Sequence, residues 1–185
     1  MKQSGLLPGQ NDVGITQIQK GVLHESAKYS LLAEKKKKSL NGLGTSTSIR
    51  NLRRSKFSTA IGDCGESLVY EYLQSSLEAD GAHSFRWNAR ERETPGWDME
   101  YKNKNNVLQA IEVKSTTGSR FPSIEITANE WEAASRLREN YHLALVAKTL
   151  SDEPLIEFVN DPYGLFEEGT LTAKPTTYQI ERMEK

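Results

Sequence analysis

Apolar and polar side chains alternate in the run Val107–Lys114, a pattern that predicts a β-strand. Because successive side chains of a strand point to opposite faces, Glu112 and Lys114 share one face. Ile111, which precedes Glu112, and Val113, which lies between the two, share the other face. An acid and an amine in an otherwise apolar strand are costly to bury unless each has a partner. A metal ion and an anionic substrate would be such partners, so the pattern predicts one core face and one face that carries chemistry.

A second stretch, Ile61–Leu77, has apolar residues at helical spacing. Its apolar stripe contains Ile61, Gly65, Leu68, Val69, Tyr72, Leu73 and Leu77. Glu66 falls inside this stripe, whereas Glu71 and Glu78 fall on the far side. A carboxylate on the core-facing side of a helix is either a residue whose end reaches solvent or a ligand. The neighbouring strands carry further acids, and these favour the interpretation of Glu66 as a metal ligand.

The third pattern is a hairpin that brings Asp98 opposite Glu112. The turn-rich sequence Asn103–Asn106 separates Asp98–Lys102 from Val107–Lys114. If these two segments pair as an antiparallel hairpin, residues whose numbers sum to about 210 lie opposite each other. Asp98 and Glu112 meet this condition, and their Cβ atoms would then lie ~5 Å apart. Two carboxylates at that distance repel each other unless a cation lies between them. A slip of one residue in the register would separate them.

The other patterns predict an α/β domain over residues 59–185, with a mixed β-sheet flanked by helices. Thr127 and Glu130 form a capping box, in which each side chain accepts a hydrogen bond from the other's backbone amide at a helix start. That helix is expected to run to about Glu139. The remaining predicted elements are a helix at Thr59–Ser76, strands at Ser84–Trp87, Trp97–Lys102, Ile124–Ile126, Tyr141–Thr149 and Leu155–Val159, a loop at Asn88–Gly96, a turn at Asp152–Pro154 and a last strand at Thr176–Ile180.

The composition of residues 1–58 indicates a basic N-terminal extension. An amphipathic helix is expected over Asp12–Lys37, because Ile15, Ile18, Val22, Tyr29 and Leu32 recur at near-helical intervals. The sequence leaves three roles open for this helix. It could pack on the domain, pair with a partner protein or a second copy of the chain, or fold only on binding. The Gly/Ser/Thr-rich stretch Asn41–Ser48 then predicts a flexible linker.

Charge is divided unevenly along the chain, although the net charge is only -1. Residues 1–60 contain 11 Lys and Arg against 3 Asp and Glu, a balance of +8, which leaves 13 against 22, a balance of -9, for residues 61–185. The basic residues of the linker region are Lys35, Lys36, Lys37, Lys38, Arg50, Arg53, Arg54 and Lys56. A basic flexible arm adds salt-sensitive contacts to nucleic-acid phosphates. The alternative is a solvated linker whose lysines serve solubility.

Several functional classes are excluded by simple counts. No run approaches the ~18 apolar residues of a membrane span, and no signal pattern begins the chain, so we expect a cytoplasmic protein that is nucleoid-associated if bacterial. The single cysteine, Cys64, excludes an internal disulfide and is expected to be buried or half-buried. No Cys/His pair has zinc-ligand spacing. No Gly-rich loop precedes Glu112 and no His-Arg-Asp follows it, which excludes a protein kinase.

Three motifs in order, Glu66 after Gly65, Gly96-x-Asp98 and Glu112-x-Lys114, resemble those of the PD-(D/E)XK, or restriction-endonuclease-like, nuclease superfamily. The superfamily's proline shortly before the aspartate has its counterpart in Pro95, three residues ahead of Asp98. The stretches Ile111–Thr116 and Ile126–Trp131, followed by Tyr141 and its strand, look like the domain at the C-terminus of the plant protein NO VEIN. The resemblance covers about residues 61–166 and implies a restriction-endonuclease-like core.

This resemblance implies a nuclease that hydrolyses phosphodiester bonds with Mg²⁺ or Mn²⁺, acting on DNA and as an endonuclease rather than an exonuclease. Asp98 and Glu112, with the carbonyl of Val113, are the expected metal ligands. Lys114 is expected to hold the attacking water and to offset charge on the phosphate. Glu66 is expected to bind a second metal ion or a metal-bound water. A restriction, anti-phage or repair system is compatible with these roles.

Other residues near these motifs are candidates for contacts with the substrate backbone. The hydroxyls of Ser115 and Thr116 can donate hydrogen bonds to a phosphate. The loop arginines Arg90, Arg92 and Arg120 are further candidates, or else ordinary surface residues. Trp97 and Trp131 are expected to be core aromatics rather than platforms for base stacking.

Two alternatives to an active nuclease remain open. The first is a non-catalytic nucleic-acid-binding or regulatory subunit on a nuclease-like fold, since an intact set of acids does not prove turnover. The second is a protein-interaction subunit that uses the helix expected at Asp12–Lys37. The first would bind DNA equally with Mg²⁺ and with EDTA and never cleave it. The second would form a stable complex that is lost on deletion of residues 1–58.

Overall fold

The computed structural model describes residues 22–23, 30–34, 56–77, 82–91 and 95–174. They form a mixed α/β fold, which confirms the predicted class. The strands are β1 (Val22–Leu23), β2 (His83–Trp87), β3 (Met99–Lys102), β4 (Leu108–Ser115), β5 (Tyr141–Ala147) and β6 (Leu155–Asn160). The helices are α1 (Lys56–Leu77), α2 (Asn88–Glu91), α3 (Ala128–Leu137), which continues into a 3₁₀ turn at Arg138–Asn140, and α4 (Pro162–Glu167).

The strands form one sheet in the order β1-β6-β5-β4-β3-β2. The hairpin of β3 and β4 is antiparallel and has the predicted register, since Met99 lies opposite Ile111 and Lys102 opposite Leu108. Strand β5 then pairs with β4 in parallel, and β6 pairs with β5 antiparallel. The central position of β4, with β3 and β5 on its two sides, explains why its acid and amine are buried.

The sheet packs between two layers of core. On one side, α1 contributes Leu68, Val69 and Leu73, which lie with Ile111 and Val113 of β4. On the other side, α3 contributes Ala133 and Ala134, which lie with Ala110 of β4 and with Leu143 and Leu145 of β5. Because side chains alternate along a strand, Glu112 and Lys114 belong to the α3 side. The predicted division of β4 into a core face and a polar face is confirmed, and the polar face lies under α3.

The N-terminus of α3 has the predicted capping box. The Thr127 hydroxyl accepts a hydrogen bond of 3.3 Å from the Glu130 amide, and the Glu130 carboxylate accepts one of 3.0 Å from the Thr127 amide. Both partners are therefore fixed at the helix start. A helix start of this kind also concentrates positive dipole charge, which favours a carboxylate there.

Two local predictions between the main elements are wrong. The expected strand at Ile124–Ile126 does not form, because the chain makes its strand-like bridge earlier, between Phe121 and Leu32. Ile124 and Ile126 instead pack against the α3-side core. The stretch Asn88–Gly96, expected to be a loop, begins with the short helix α2.

The helix expected at Asp12–Lys37 is absent where the structure describes that part of the chain. Val22–Leu23 form β1, parallel to β6, and residues 30–34 contain a turn and the bridge to Phe121. The physical reason is Glu157 of β6, whose carboxylate accepts hydrogen bonds from the amides of Ser30 at 2.8 Å and Leu31 at 2.7 Å. Leu31 is itself buried in the α3-side core. The rest of that prediction, and the strand expected at Thr176–Ile180, lie outside the described residues.

We expect Glu157→Ala to lower the stability of the domain, because it leaves two amides without acceptors in a protein interior. Each unsatisfied buried donor costs about 1–3 kcal/mol, so the free energy of unfolding in urea should fall by a few kcal/mol. Glu153→Ala, which alters an exposed acid in the turn before β6, is the matched control and should be close to neutral. Equal stability of the two variants would contradict an anchoring role for Glu157.

Among the described helices, none is both long and apolar enough to cross a membrane.

Candidate active site

Strand β4 brings the predicted acid and amine into direct contact. The Lys114 amine donates a hydrogen bond of 2.6 Å to Oε1 of Glu112. Glu112 is buried, with 4 % of its surface exposed, so this ion pair lies largely out of water. Hydrogen bonds between charged groups are strong in such surroundings, and an unpaired charge would be costly there.

Asp98 lies directly before β3 and faces the same site. Its amide donates to the Ile111 carbonyl at 3.0 Å, and its Oδ2 accepts from the Val113 amide at 2.8 Å. The charge of Asp98 raises the pKa of Glu112, so the two carboxyl groups are neighbours. The structure thus brings together the two carboxyl groups that the hairpin register paired.

The turn that carries Asp98 is fixed by Gly96. Its backbone has a φ of +104°, and an added Cβ would lie 2.9 Å both from the Ala133 Cβ and from the Asn129 carbonyl oxygen of α3. The buried hydroxyl of Tyr141 donates to the Gly96 carbonyl at 3.0 Å. Only glycine adopts this conformation readily and leaves room for the helix. The turn before Asp98 is therefore held against α3 and β5.

Burial dominates the electrostatics of the two carboxyl groups. Burial, followed by the nearby charge of Asp98, raises the pKa of Glu112 to about 9, against the lowering effect of the Lys114 amine. Burial also raises the pKa of Asp98, against the hydrogen bond from Val113. Burial alone would lower the pKa of Lys114, but its contact with Glu112 raises it overall. Burial thus disfavours the charged form of both acids, and a cation beside them would favour it.

The acidic pair suits a hard divalent cation. Mg²⁺ is usually held by one or two carboxylates together with water and substrate phosphate, and a cation beside Asp98 and Glu112 would offset the cost of burying their charges. Within the described residues, no group of three or more acidic, histidine or cysteine side chains is placed to hold a metal ion. The donor set is thus a carboxylate pair, and the amide of Val113 supports it through Asp98.

Glu66 reaches this region from the other side of the sheet. It accepts a hydrogen bond of 2.8 Å from the indole of Trp87, in the α1-side layer. Burial raises the pKa of Glu66, and the charge of Asp98 raises it further, so these two acids are neighbours. Among the described residues, no hydrogen bond or ion pair joins Glu66 to Glu112 or Lys114. The helical stripe predicted its inward direction correctly, but Glu66 meets Asp98 rather than the Lys114 side.

Glu130 belongs to this site, although the sequence pattern indicated only a helix cap. Its Oε2 accepts a hydrogen bond of 2.8 Å from the Lys114 amine as well as the one from the Thr127 amide. These contacts hold the pKa of Glu130 below its usual value, despite burial. Lys114 lies on the face of β4 that is covered by the helix starting at Thr127, and this position could have pointed to Glu130. The sequence does not show, however, that this helix packs on that face of the sheet.

The two candidate hydroxyls after β4 lie in different surroundings. Ser115 faces α1, beside Gly65, and its buried hydroxyl is without a hydrogen-bond partner among the described residues. The expected phosphate contact of Ser115 is therefore wrong, because strand alternation turns this side chain away from Lys114. Thr116 is half-buried, and its hydroxyl accepts from the Gly118 amide at 3.2 Å. Its hydrogen remains free to donate.

The cationic candidates that the structure describes lie in separate places. Arg120 is exposed and lines a cleft of about 360 Å³ together with Lys148 and Glu157. Arg90 of α2 lies with its guanidinium carbon 3.8 Å from the centre of the Trp87 ring and lowers the pKa of Glu66. Lys56 begins α1. The other basic residues of the arm, Lys35, Lys36, Lys37, Lys38, Arg50, Arg53 and Arg54, and also Arg92, lie outside the described residues.

Predictions for three other side chains are confirmed. Cys64 is half-buried and its thiol contacts the Thr149 carbonyl at 3.6 Å. Trp97 and Trp131 are partly buried and pack against the α3-side core.

Comparison with known proteins gives one match. A family model described as protein NO VEIN, C-terminal, matches residues 65–159, which is 95 of the 185 residues. The matched segment contains all five residues of the site: Glu66, Asp98, Glu112, Lys114 and Glu130. No curated protein and no solved structure matches the chain.

Proposed function

The chain belongs to the family of the NO VEIN C-terminal domain, and from this premise and the site geometry we propose that it is a metal-dependent nuclease of the PD-(D/E)XK type. The proposed reaction is hydrolysis of phosphodiester bonds, with Mg²⁺ or Mn²⁺ as cofactor. DNA is the proposed polymer, cut within the strand rather than from its ends.

The observation that carries this proposal is the contact between Asp98, Glu112 and Lys114. The Asp98 and Glu112 carboxyl groups are neighbours, burial and the charge of Asp98 raise the pKa of Glu112 to about 9, and the Lys114 amine lies 2.6 Å from the Glu112 carboxylate. Burial of three ionisable groups is costly to the fold. Clusters of this kind, with strongly shifted pKa values, are concentrated at functional sites.

Each residue has a defined task in the proposed reaction. A bound divalent cation supplies Lewis-acid stabilisation of the phosphate and a more acidic water. Asp98 and Glu112 hold that cation through carboxylate oxygens, and the Val113 amide fixes the orientation of Asp98. Lys114 holds the attacking water and offsets the negative charge that grows on the phosphate. Glu66, a neighbour of Asp98, would bind a second metal ion or a metal-bound water.

A second candidate function is a nucleic-acid-binding module without catalysis. The observation in its favour is that Lys114 already has two carboxylate partners, Glu112 and Glu130, so the network of ion pairs is complete without a cation. A module of this kind keeps the acids for stability, and its affinity for DNA does not depend on metal.

One experiment separates the two functions. Purified protein is incubated with supercoiled plasmid, linear duplex, single-stranded DNA and RNA, each with Mg²⁺, Mn²⁺ or EDTA. The nuclease predicts nicking or cutting of plasmid with Mg²⁺ or Mn²⁺ and none with EDTA. Equal DNA binding under all conditions, with no cleavage of any polymer, supports the binding module and contradicts the nuclease.

Deletion of residues 35–56 tests the proposed basic arm. We expect weaker DNA binding at low salt and a flatter dependence of affinity on salt, because each lost phosphate contact removes its share of released counterions. Binding isotherms between low and moderate salt measure the slope. An unchanged slope would show that the eight basic residues of this segment do not touch the phosphates.

A further inference from the structure

We propose that Glu130 is a positioning residue, which holds the Lys114 amine in place while Glu112 binds the metal ion. This inference rests on the proposed function and extends it to a residue outside the three motifs. It gives the first turn of α3 a role in the reaction besides starting a helix.

The geometry that supports it is a single amine shared by two carboxylates. Lys114 Nζ lies 2.6 Å from Oε1 of Glu112 and 2.8 Å from Oε2 of Glu130. The Lys114 and Glu130 side chains are 19 % and 15 % exposed, so water can replace little of this contact. The same Oε2 atom also accepts from the Thr127 amide at 3.0 Å. Glu130 therefore joins the amine directly to the helix N-terminus.

Metal binding makes the second carboxylate necessary. A cation held by Glu112 would share the carboxylate that now accepts from Lys114, and the positive charges of cation and ammonium would repel each other. An ammonium group held only by Glu112 would then either compete with the cation or turn away. With Glu130 as its other partner, the amine keeps an acceptor and its position. Glu130 itself is fixed by the capping box, so the amine cannot pull it out of place.

A structural role alone can be separated from this positioning role by chemistry. Glutamine replaces glutamate in capping boxes, because its amide oxygen also accepts from the N-cap amide. Glu130→Gln therefore keeps the helix cap but removes the negative charge facing Lys114. Thr127→Ala does the reverse, since it removes the cap hydroxyl and leaves the contact of Glu130 with Lys114. Glu132→Gln alters an exposed acid of the same helix and is the matched control.

The experiment measures Mn²⁺ affinity by calorimetry, kcat and KM on plasmid DNA, and thermal unfolding for the full chain and the three variants. Loss of a residue that supports a metal site typically costs about 10–100-fold in metal affinity or activity. We expect Glu130→Gln to show that loss in kcat and a weaker Mn²⁺ affinity, with KM for DNA and the Tm near wild-type values. Thr127→Ala should lower the Tm and keep kcat near that of wild type, and Glu132→Gln should match wild type throughout.

Three results would overturn the inference, and they are distinguishable. Wild-type cleavage and Mn²⁺ binding that persist unchanged in Glu130→Gln would remove the positioning role and leave the nuclease proposal intact. A kcat loss in Thr127→Ala as large as that in Glu130→Gln would reduce Glu130 to a helix cap. If the wild-type chain neither binds Mn²⁺ nor cleaves any polymer, the proposed function fails and this inference fails with it.

Discussion

Asp98→Ala, Glu112→Ala and Lys114→Ala are each expected to lower metal-dependent cleavage by about 10²–10³-fold or more. The two acids are the proposed metal ligands, and loss of one leaves the cation without half of its protein donors. Loss of a single group that stabilises transition-state charge costs about 10²–10³-fold in kcat, and Lys114 is such a group. The measurement is initial rates of plasmid nicking with Mg²⁺.

The controls are matched in charge and lie away from the site. Asp152→Ala and Lys104→Ala alter exposed residues of the two turns and should keep wild-type rates. Circular dichroism should show that all five variants are folded. Cleavage that survives the loss of Glu112 would remove this residue as a metal ligand.

Stability without metal gives an independent check on Glu112. Its pKa is raised from 4.5 to about 9 in the folded protein by burial and by Asp98. The folded chain therefore binds more protons than the unfolded chain between these pH values, so stability falls as pH rises through that window. Glu112→Gln removes this titration. We expect the metal-free variant to show a flatter decline of Tm between pH 5 and 9 than wild type.

The features that the sequence predicted well are those set by short-range patterns. Alternation in β4 placed Glu112 and Lys114 on one face, and a hairpin with a short turn leaves few possible registers, so Met99 came opposite Ile111 and Asp98 came beside Glu112. The same alternation, carried one residue further, places Ser115 with Val113 on the α1 side. The signal that excluded Ser115 from the site was therefore present in the sequence.

The features that the sequence did not predict depend on contacts between distant segments. Glu157 and Ser30 are 127 residues apart, and nothing local to either predicts that a buried carboxylate overrides a helical pattern at the N-terminus. Glu130 fitted a helix cap so well that its contact with Lys114 went unseen. Tertiary contacts override local propensity in this way wherever a buried polar group must be satisfied.

The closest approach of α1 to the sheet gives the second large expected effect, which concerns stability. An added Cβ at Gly65 would overlap the Ser115 Oγ and lie 2.8 Å from the Ser115 Cβ. A rotation of the hydroxyl does not move the Cβ, so α1 or β4 must shift. Overpacking of this kind costs about 1–3 kcal/mol or more. We expect Gly65→Ala to lower the free energy of unfolding in urea by at least that amount.

Gly62→Ala, one turn earlier in the same helix, is the matched control. An added Cβ at Gly62 meets nothing within 4 Å, and replacing glycine by alanine in a helix is favourable by about 0.5–1 kcal/mol. The two substitutions are chemically identical, so a difference in sign between them isolates the contact with Ser115. Ser115→Gly in the Gly65→Ala background should restore part of the loss, because it removes both overlapping atoms.

Because Glu66 follows Gly65 directly, a shift of α1 also moves a proposed ligand. Gly65→Ala should therefore lose cleavage activity, and the Ser115→Gly change should partly restore it. Equal stability of Gly65→Ala and Gly62→Ala would show that α1 does not hold Glu66 against the sheet at this point.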